Sequence, residues 1–441
     1  MPLTLPLRHR HDAEILRLAV PAFFNLIAEP LFLLADSAIV GHLGTAQLAG
    51  LAVAGAIIST ALSLCIFLAY GSTGAVARRL GAGDQAGAVR QGIDGLWVGL
   101  FIGVTLTLLG LTTSGLMVDA FGVDADAAHE ARLYLHVAVF GLPAALGMLA
   151  VTGLLRGLQD TRTPLLVAVG ANLINVALNY ALVYGADMGV AGSALGTVLA
   201  QWASLGVYAV VVVTRSLRLG VAIGPSLPGM KRSLFGSAPL FLRNVALRLV
   251  VFASAAIAAD MGSAQLAAHQ VAFNIWTALA LGLDAVAIAG QALVGRYLGA
   301  SDVSGAREAS RRMVEWSFGM GVALGIVIFA TRGVLPGLFT DDPEVQEHLS
   351  DVLIVVALMQ PWAGWVFALD GVLIGAGDVR YVALAQLLTI VVFLPLAATV
   401  LIFDLGLQGL WWALAVWVFA RLAVMGYRML GPAWAVGGAS R

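Results

Sequence analysis

Long apolar segments separated by short polar ones constrain the fold of this chain more than any other feature of its sequence. A helix needs about 20 apolar residues to cross a hydrocarbon core about 30 Å thick. Segments of that length lie at about residues 14–41, 47–77, 89–118, 128–155, 163–185, 190–214, 233–259, 265–295, 306–331, 345–374, 379–403 and 407–429. With 60% hydrophobic and only 11% charged residues, the chain has too few polar side chains for the surface of a soluble protein. We predict an all-α polytopic membrane protein with 12 transmembrane helices.

The basic residues give an independent test, because cytoplasmic loops of membrane proteins are enriched in lysine and arginine. Of the 24 Lys and Arg residues, 20 lie at alternate junctions between the predicted spans, and Arg421 is counted among them. Arg132 and Arg332 lie at the opposite junctions, while Arg243 and Arg248 lie inside the seventh span. The pattern predicts that both termini are cytoplasmic, which an even number of spans requires.

An internal repeat divides the chain into two similar parts. At a constant offset of 218 residues, Pro21 matches Pro239, and residues 44–49 (GTAQLA) match residues 262–267 (GSAQLA). Each copy contains six spans, so we predict two parallel repeats, whose interface is where a transporter places its cavity. The predicted parts are an N-terminal six-helix lobe at 14–214, a cytoplasmic linker at 215–232 and a C-terminal six-helix lobe at 233–430.

Carboxylates inside the predicted spans mark candidate functional positions. A charged side chain at the centre of a bilayer costs from about 3 to more than 10 kcal/mol, so such residues are usually functional or paired. The spans contain Glu29, Asp36, Asp284 and Asp370. The repeat places Ser254 opposite Asp36, so the two lobes do not carry the same charges.

Asp36 has polar residues at a similar predicted depth in the same lobe. Asn179, Tyr134 and Thr197 lie, like Asp36, roughly 8–11 Å from the outer end of their spans at 1.5 Å per residue. Asn175 lies one helical turn from Asn179 on the same face. A carboxylate among hydroxyl and amide groups can bind a proton or a small cation, which predicts a coupling role for these residues. The alternative is that the Asn, Thr and Tyr side chains only tie helices together.

The second lobe contains both signs of charge. Arg243 and Arg248 share the seventh span, with Asp284 at about the depth of Arg248 and Asp370 at about the depth of Arg243. We predict ion pairs between these partners, and structural pairing explains them as well as chemistry does. Glu29 lies on the same helical face as Asp36, where it either binds a second proton or faces water.

Several short motifs lie in order along nearly the whole chain: RLAVP at 17–21, LADSAIVGHLG at 34–44, GLQDTRTP at 157–164 and NLINVALN at 172–179. Together they resemble those of the multidrug and toxic compound extrusion (MATE) transporters. LD at 283–284 and LDG at 369–371 resemble the DNA-damage-inducible F (DinF) branch of that family. The resemblance implies a V-shaped fold of two six-helix lobes. It also implies export of organic, often cationic or amphipathic, compounds against an inward flow of protons or sodium.

The resemblance also assigns roles to individual residues. Asp36 is implied as the coupling residue and Pro21 as the bending site of the first helix. The implied hydrogen-bonding partners of Asp36 are Tyr134, Asn175, Asn179 and Thr197. The chain departs from the family at Asn179, where related members carry an aspartate, and this leaves Asp36 as the principal proton carrier.

These observations together predict a secondary antiporter in the cell membrane, acting as a monomer on small molecules. No cofactor, metal or nucleic-acid partner is expected; the coupling ion is a proton, with sodium as the alternative. A lipid-linked sugar flippase of the same wider superfamily is the alternative function, but it would line its cleft with more cations than Arg243 and Arg248. An integral-membrane enzyme would need His, Asp or Glu clusters in sizeable outer loops, and the outer loops are short.

Overall fold

The computed structural model describes residues 10–440, and within them it contains helices and no strands. Twelve of the helices are long and apolar enough to cross a membrane, which confirms the predicted fold class. In chain order they are α1 (Arg10–Gly41), α2 (Thr45–Gly81), α3 (Gln85–Asp119), α4 (Ala125–Gly157), α5 (Arg162–Gly185), α6 (Gly189–Leu219), α7 (Leu227–Asp260), α8 (Ser263–Gly299), α9 (Val303–Thr331), α10 (Pro343–Gly375), α11 (Val379–Ile402) and α12 (Gly406–Leu430).

Three of these helices are locally irregular. The α-helical geometry of α2 is interrupted at Ile66, and that of α4 passes through a 3₁₀ turn at Val139–Gly141. The last turn of α5, Ala181–Gly185, is a π-helix. Single π-turns are rare and occur often beside functional sites, so the end of α5 is a position of interest.

The turns at residues 80–84 (LGAGD) and 298–302 (LGASD), which match at the same offset of 218 residues, have a structural explanation. Asp84 caps the N-terminus of α3 by accepting a hydrogen bond from the backbone N–H of Gly87 at 2.8 Å. Asp302 caps α9 through the N–H of Gly305 at the same distance. Such caps satisfy a backbone donor that the helix itself leaves unpaired. The match between these two turns therefore reflects how each repeat starts its third helix.

The described chain falls into two compact units. We call residues 24–238 the N-terminal unit, and residues 10–23 together with 239–440 the C-terminal unit. Both boundaries lie beside the repeat-related Pro21 and Pro239. The helix-free segment between α6 and α7 is 220–226, and the predicted lobe boundaries stay predictions.

The start of α1 is held in the C-terminal unit by ion pairs. Arg312 of α9 donates two hydrogen bonds to the carboxylate of Asp12, at 2.6 and 3.0 Å. Glu14 accepts from Arg296 at 2.7 Å and from the hydroxyl of Tyr297 at 2.8 Å, both near the end of α8. Charge-assisted bonds of this kind are roughly twice as strong as neutral ones. They explain why the first turns of α1 pack with helices that follow much later in the chain.

Candidate functional site

Asp36 of α1 lies in a buried polar cluster of the N-terminal unit. Its Oδ1 atom accepts a hydrogen bond from Nδ2 of Asn179 at 2.8 Å and another from the hydroxyl of Ser193 at 2.5 Å. Asp36 is 3% exposed, and Asn179 and Ser193 are fully buried. A buried carboxylate is costly unless it is hydrogen-bonded, and two donors on one oxygen meet that need.

Further side chains close this cluster into a ring. The amide nitrogen of Asn179 also donates to Oδ1 of Asn175 at 3.2 Å, and Asn175 donates to the hydroxyl of Thr197 at 3.0 Å. The phenol of Tyr134 interacts with both Thr197 and Asp36. The ring therefore begins and ends at the Asp36 carboxyl group, and the side chains of residues 10–440 that hydrogen-bond with this carboxyl each carry an N–H or O–H.

Helical spacing brings these side chains together. Asn175 and Asn179 are four residues apart on α5, and Ser193 and Thr197 are four residues apart on α6, so each pair shares one helical face. Gly196 of α6 lies against Asn179, and a β-carbon there would meet the Asn179 amide oxygen. The small residue allows α5 and α6 to approach closely at the level of the site.

The structure brings together all five residues that the sequence assigned to the Asp36 site, and their coupling role stays a prediction. These residues are Asp36, Tyr134, Asn175, Asn179 and Thr197. Ser193 was not among the predicted residues of this site. Its position one helical turn before Thr197 was the signal that places it on the same face of α6.

The C-terminal unit contains a buried charge cluster. Oδ2 of Asp370 accepts from Arg243 at 2.6 Å, which confirms the predicted Arg243–Asp370 ion pair. The same oxygen accepts from Arg421 of α12 at 2.8 Å. Asp370 and Arg421 are each 3% exposed. The assignment of Arg421 to a junction between spans is therefore wrong, because this arginine lies within α12 and is buried as a partner of Asp370.

The other predicted pair is not formed: within residues 10–440 no ion pair joins Arg248 to Asp284. Arg248 follows Arg243 by five residues, which rotates it by about 140° around α7 and points it away from the face that meets Asp370. Arg248 and Asp284 are half-buried. Glu29 is exposed on α1, and the bending role of Pro21 stays a prediction.

The repeat-related Asp160 and Asp378 serve structure in the loops that precede α5 and α11. Asp160 accepts from the N–H and hydroxyl of Thr163 at 3.0 and 2.8 Å and from Arg215 at 2.7 Å. Asp378 accepts from Arg428 at 2.7 Å. Partial burial alone would raise the pKa of Asp160, but the Thr163 and Arg215 hydrogen bonds outweigh it and hold that pKa below its usual value.

Comparison with known proteins identifies the family. A family model, MatE, matches residues 21–181 and again residues 239–399. The chain belongs to the MatE family. The two matched stretches begin and end 218 residues apart, which confirms the internal repeat of this MatE protein. It is a multi-pass efflux transporter of the multidrug and toxic compound type, acting on small molecules in the membrane.

Relatives of the MatE chain cover nearly its whole length. It is 29% identical to DNA damage-inducible protein F of Escherichia coli, over 93% of this chain and 90% of that protein. It is 28% identical to Protein DETOXIFICATION 44, chloroplastic, of Arabidopsis thaliana, over 94% of this chain and 82% of that protein. A solved structure of a MOP superfamily transporter from Pyrococcus furiosus has the same fold, with a TM-score of 0.86 at 22% identity, covering 95% of this chain and 94% of that one.

Proposed function

We propose that this protein is a proton-coupled antiporter that exports small organic, often cationic or amphipathic, compounds in exchange for protons. We place it in the cell membrane as a monomer with both termini in the cytoplasm. The observation that carries the proposal is the buried carboxyl group of Asp36, whose hydrogen-bond partners among residues 10–440 all act as donors.

The donors explain how Asp36 can exist in both protonation states. When it is ionised, the amide of Asn179 and the hydroxyl of Ser193 stabilise its charge in a buried place. When Asp36 is protonated, its carboxyl group loses its charge and accepts hydrogen bonds from the same donors less strongly. The ring of side chains therefore rearranges. A proton and a substrate that favour different arrangements of one protein drive each other's transport.

The same geometry favours a proton over sodium as the coupling ion. Hard metal cations are bound by oxygen lone pairs. Asn179 turns its N–H₂ group towards Asp36 and its amide oxygen away, towards Gly196. A sodium ion at Asp36 would require this amide to turn around and give up its hydrogen bond to Asn175.

Transport by the purified protein in lipid vesicles tests this proposal. A fluorescent organic cation such as ethidium is the probe, and either a pH gradient or a sodium gradient at equal pH is imposed. We expect the pH gradient to drive ethidium movement, and ethidium movement to dissipate the pH gradient. Transport driven by the sodium gradient alone would contradict proton coupling.

A further inference from the structure

Ser193 differs from the other partners of Asp36 in how its hydrogen bonds are used. Its hydroxyl lies 2.5 Å from Oδ1 of Asp36, and its side chain is fully buried. Among the described residues, Asp36 is the only group with which this hydroxyl forms a hydrogen bond. A serine hydroxyl has one donor hydrogen and two acceptor lone pairs, and it rotates to suit its neighbours.

Asn179 and Tyr134, the other side chains that hydrogen-bond with Asp36, act as donors to it. The amide nitrogen of Asn179 uses one hydrogen for Asp36 and directs the other at Asn175, and an amide nitrogen accepts none. The Thr197 hydroxyl already accepts from Asn175, so its own hydrogen is available to the Tyr134 oxygen. That arrangement directs the Tyr134 hydrogen at Asp36. Ser193 is thus the contact that can change from donor to acceptor without disturbing another side chain.

We propose that Ser193 is a switching partner of the coupling carboxylate, an inference that rests on the proposed proton-coupled function. When Asp36 is ionised, the Ser193 hydroxyl donates to it. When Asp36 takes a proton from the aqueous medium, the hydroxyl rotates and accepts a hydrogen bond from the new carboxyl O–H. Tyr134 is the one titratable side chain that contacts Asp36 in residues 10–440, and no charged side chain pairs with it.

The rotated hydroxyl needs a new acceptor for its hydrogen, and we assign this role to a backbone carbonyl of the same helix. Serine in a helix commonly donates to the backbone carbonyl four residues earlier, which for Ser193 is that of Gly189. Ser204, on the same helix, makes this bond to Ala200 at 2.7 Å. Within residues 10–440 the Ser193 hydroxyl does not contact that carbonyl when it is bonded to Asp36, so the switch needs a small shift of the serine side chain as well as rotation of its hydroxyl.

The pH dependence of efflux in vesicles tests the role of Ser193. A hydrogen bond to a charged group is stronger than one to a neutral group, so Ser193→Ala disfavours ionised Asp36 more than protonated Asp36. We expect the midpoint of the pH profile to move upward by as much as about one pH unit. Ser193→Cys retains a weak donor of similar size and should give a smaller upward shift.

Ser204→Ala is the matched control, because Ser204 is also buried on α6 but its hydroxyl bonds, within the described part of the chain, only to the Ala200 carbonyl. We expect its pH profile to coincide with that of the unaltered protein. Infrared difference spectra provide a second readout, since the band of the protonated carboxyl group should move in Ser193→Ala and not in Ser204→Ala. If Ser193→Ala does not fold, the pH profile and the infrared carboxyl band of Ser193→Cys test the role of Ser193 instead.

Two outcomes separate this inference from the proposed function. An unshifted pH profile and carboxyl band in Ser193→Ala, or in Ser193→Cys if only that variant folds, would overturn the role of Ser193 alone. Proton-driven efflux that survives Asp36→Asn would overturn the proposed function, whatever the serine variants show. A shift in the Ser193 variants that is absent from Ser204→Ala supports the switch.

Discussion

The amide oxygen of Asn179 lies against Gly196, at the point where any larger residue would place its β-carbon. That β-carbon would also lie 3.1 Å from the backbone nitrogen of Asn179. The oxygen has no hydrogen-bond partner among residues 10–440, so the hydrogen bonds of the N–H₂ group to Asp36 and Asn175 set which way the amide faces, and Gly196 leaves the space that its oxygen occupies. Gly196 thereby helps to keep the N–H₂ group of Asn179 directed at Asp36.

Gly196→Ala should therefore impair transport by displacing Asn179 from Asp36. Overpacking of a close helix contact costs about 1–3 kcal/mol, so a moderate loss of thermal stability is expected as well. Gly206→Ala on the same helix is the control, because a β-carbon there meets nothing within 4 Å. Efflux and unfolding temperature of both variants are measured; equal efflux in the two would contradict the role given to Gly196.

The buried cluster around Asp370 predicts that breaking an interior ion pair lowers the stability of the protein much more than breaking a surface ion pair does. Asp370→Asn leaves Arg243 and Arg421 facing each other without the carboxylate that joins them, and we expect a loss of about 3–5 kcal/mol of stability. Asp119→Asn breaks the exposed pair with Arg132 and should cost at most about 1 kcal/mol. Denaturation of the two detergent-solubilised variants measures the difference. Similar losses in both would show that the interior cluster contributes little.

The loop before α5 predicts a pH-dependent contribution to stability. Asp160 has a lowered pKa in the folded protein because Thr163 and Arg215 bind its charged form. Its contribution is therefore complete above the usual aspartate pKa of about 3.9 and is lost as pH falls through the lower folded value. Asp160→Asn should lower the unfolding temperature at pH 7, and the difference from the unaltered protein should shrink in that acidic range. Asp341→Asn, at an exposed position, should change neither the unfolding temperature at pH 7 nor its dependence on pH. A difference that stays constant with pH would refute the assignment to the charge of Asp160.

Sequence alone predicted the helices and much of the Asp36 site because both depend on local patterns. Apolar length defines a span, and residues at equal depth on neighbouring helices can meet, as Asp36 and Asn179 do. Depth does not specify which way a side chain points around its helix, which is why the Arg248 prediction failed. A serine in an apolar span resembles a packing residue, so Ser193 was not predicted although it lies one helical turn before Thr197, and the structure shows that it contacts Asp36.

The burial of Arg421 and the packing of the start of α1 could not be predicted from the sequence, for another reason. Both depend on contacts between segments far apart in the chain, such as Arg421 with Asp370 and Asp12 with Arg312. Charge counting places an arginine near a helix end in the cytoplasm, and it cannot distinguish such a residue from one that is drawn inward by a buried carboxylate.

Replacement of Asp36 by asparagine tests the central claim most directly. Asp36→Asn keeps the size and polarity of the side chain but removes its ability to bind and release a proton. The measurement is ethidium efflux driven by an imposed pH gradient in vesicles that contain equal amounts of folded protein. We predict that the variant inserts and folds but shows no efflux above that of protein-free vesicles. Efflux at the rate of the unaltered protein would contradict the account and shift the search to Glu29, Asp284 or Asp370.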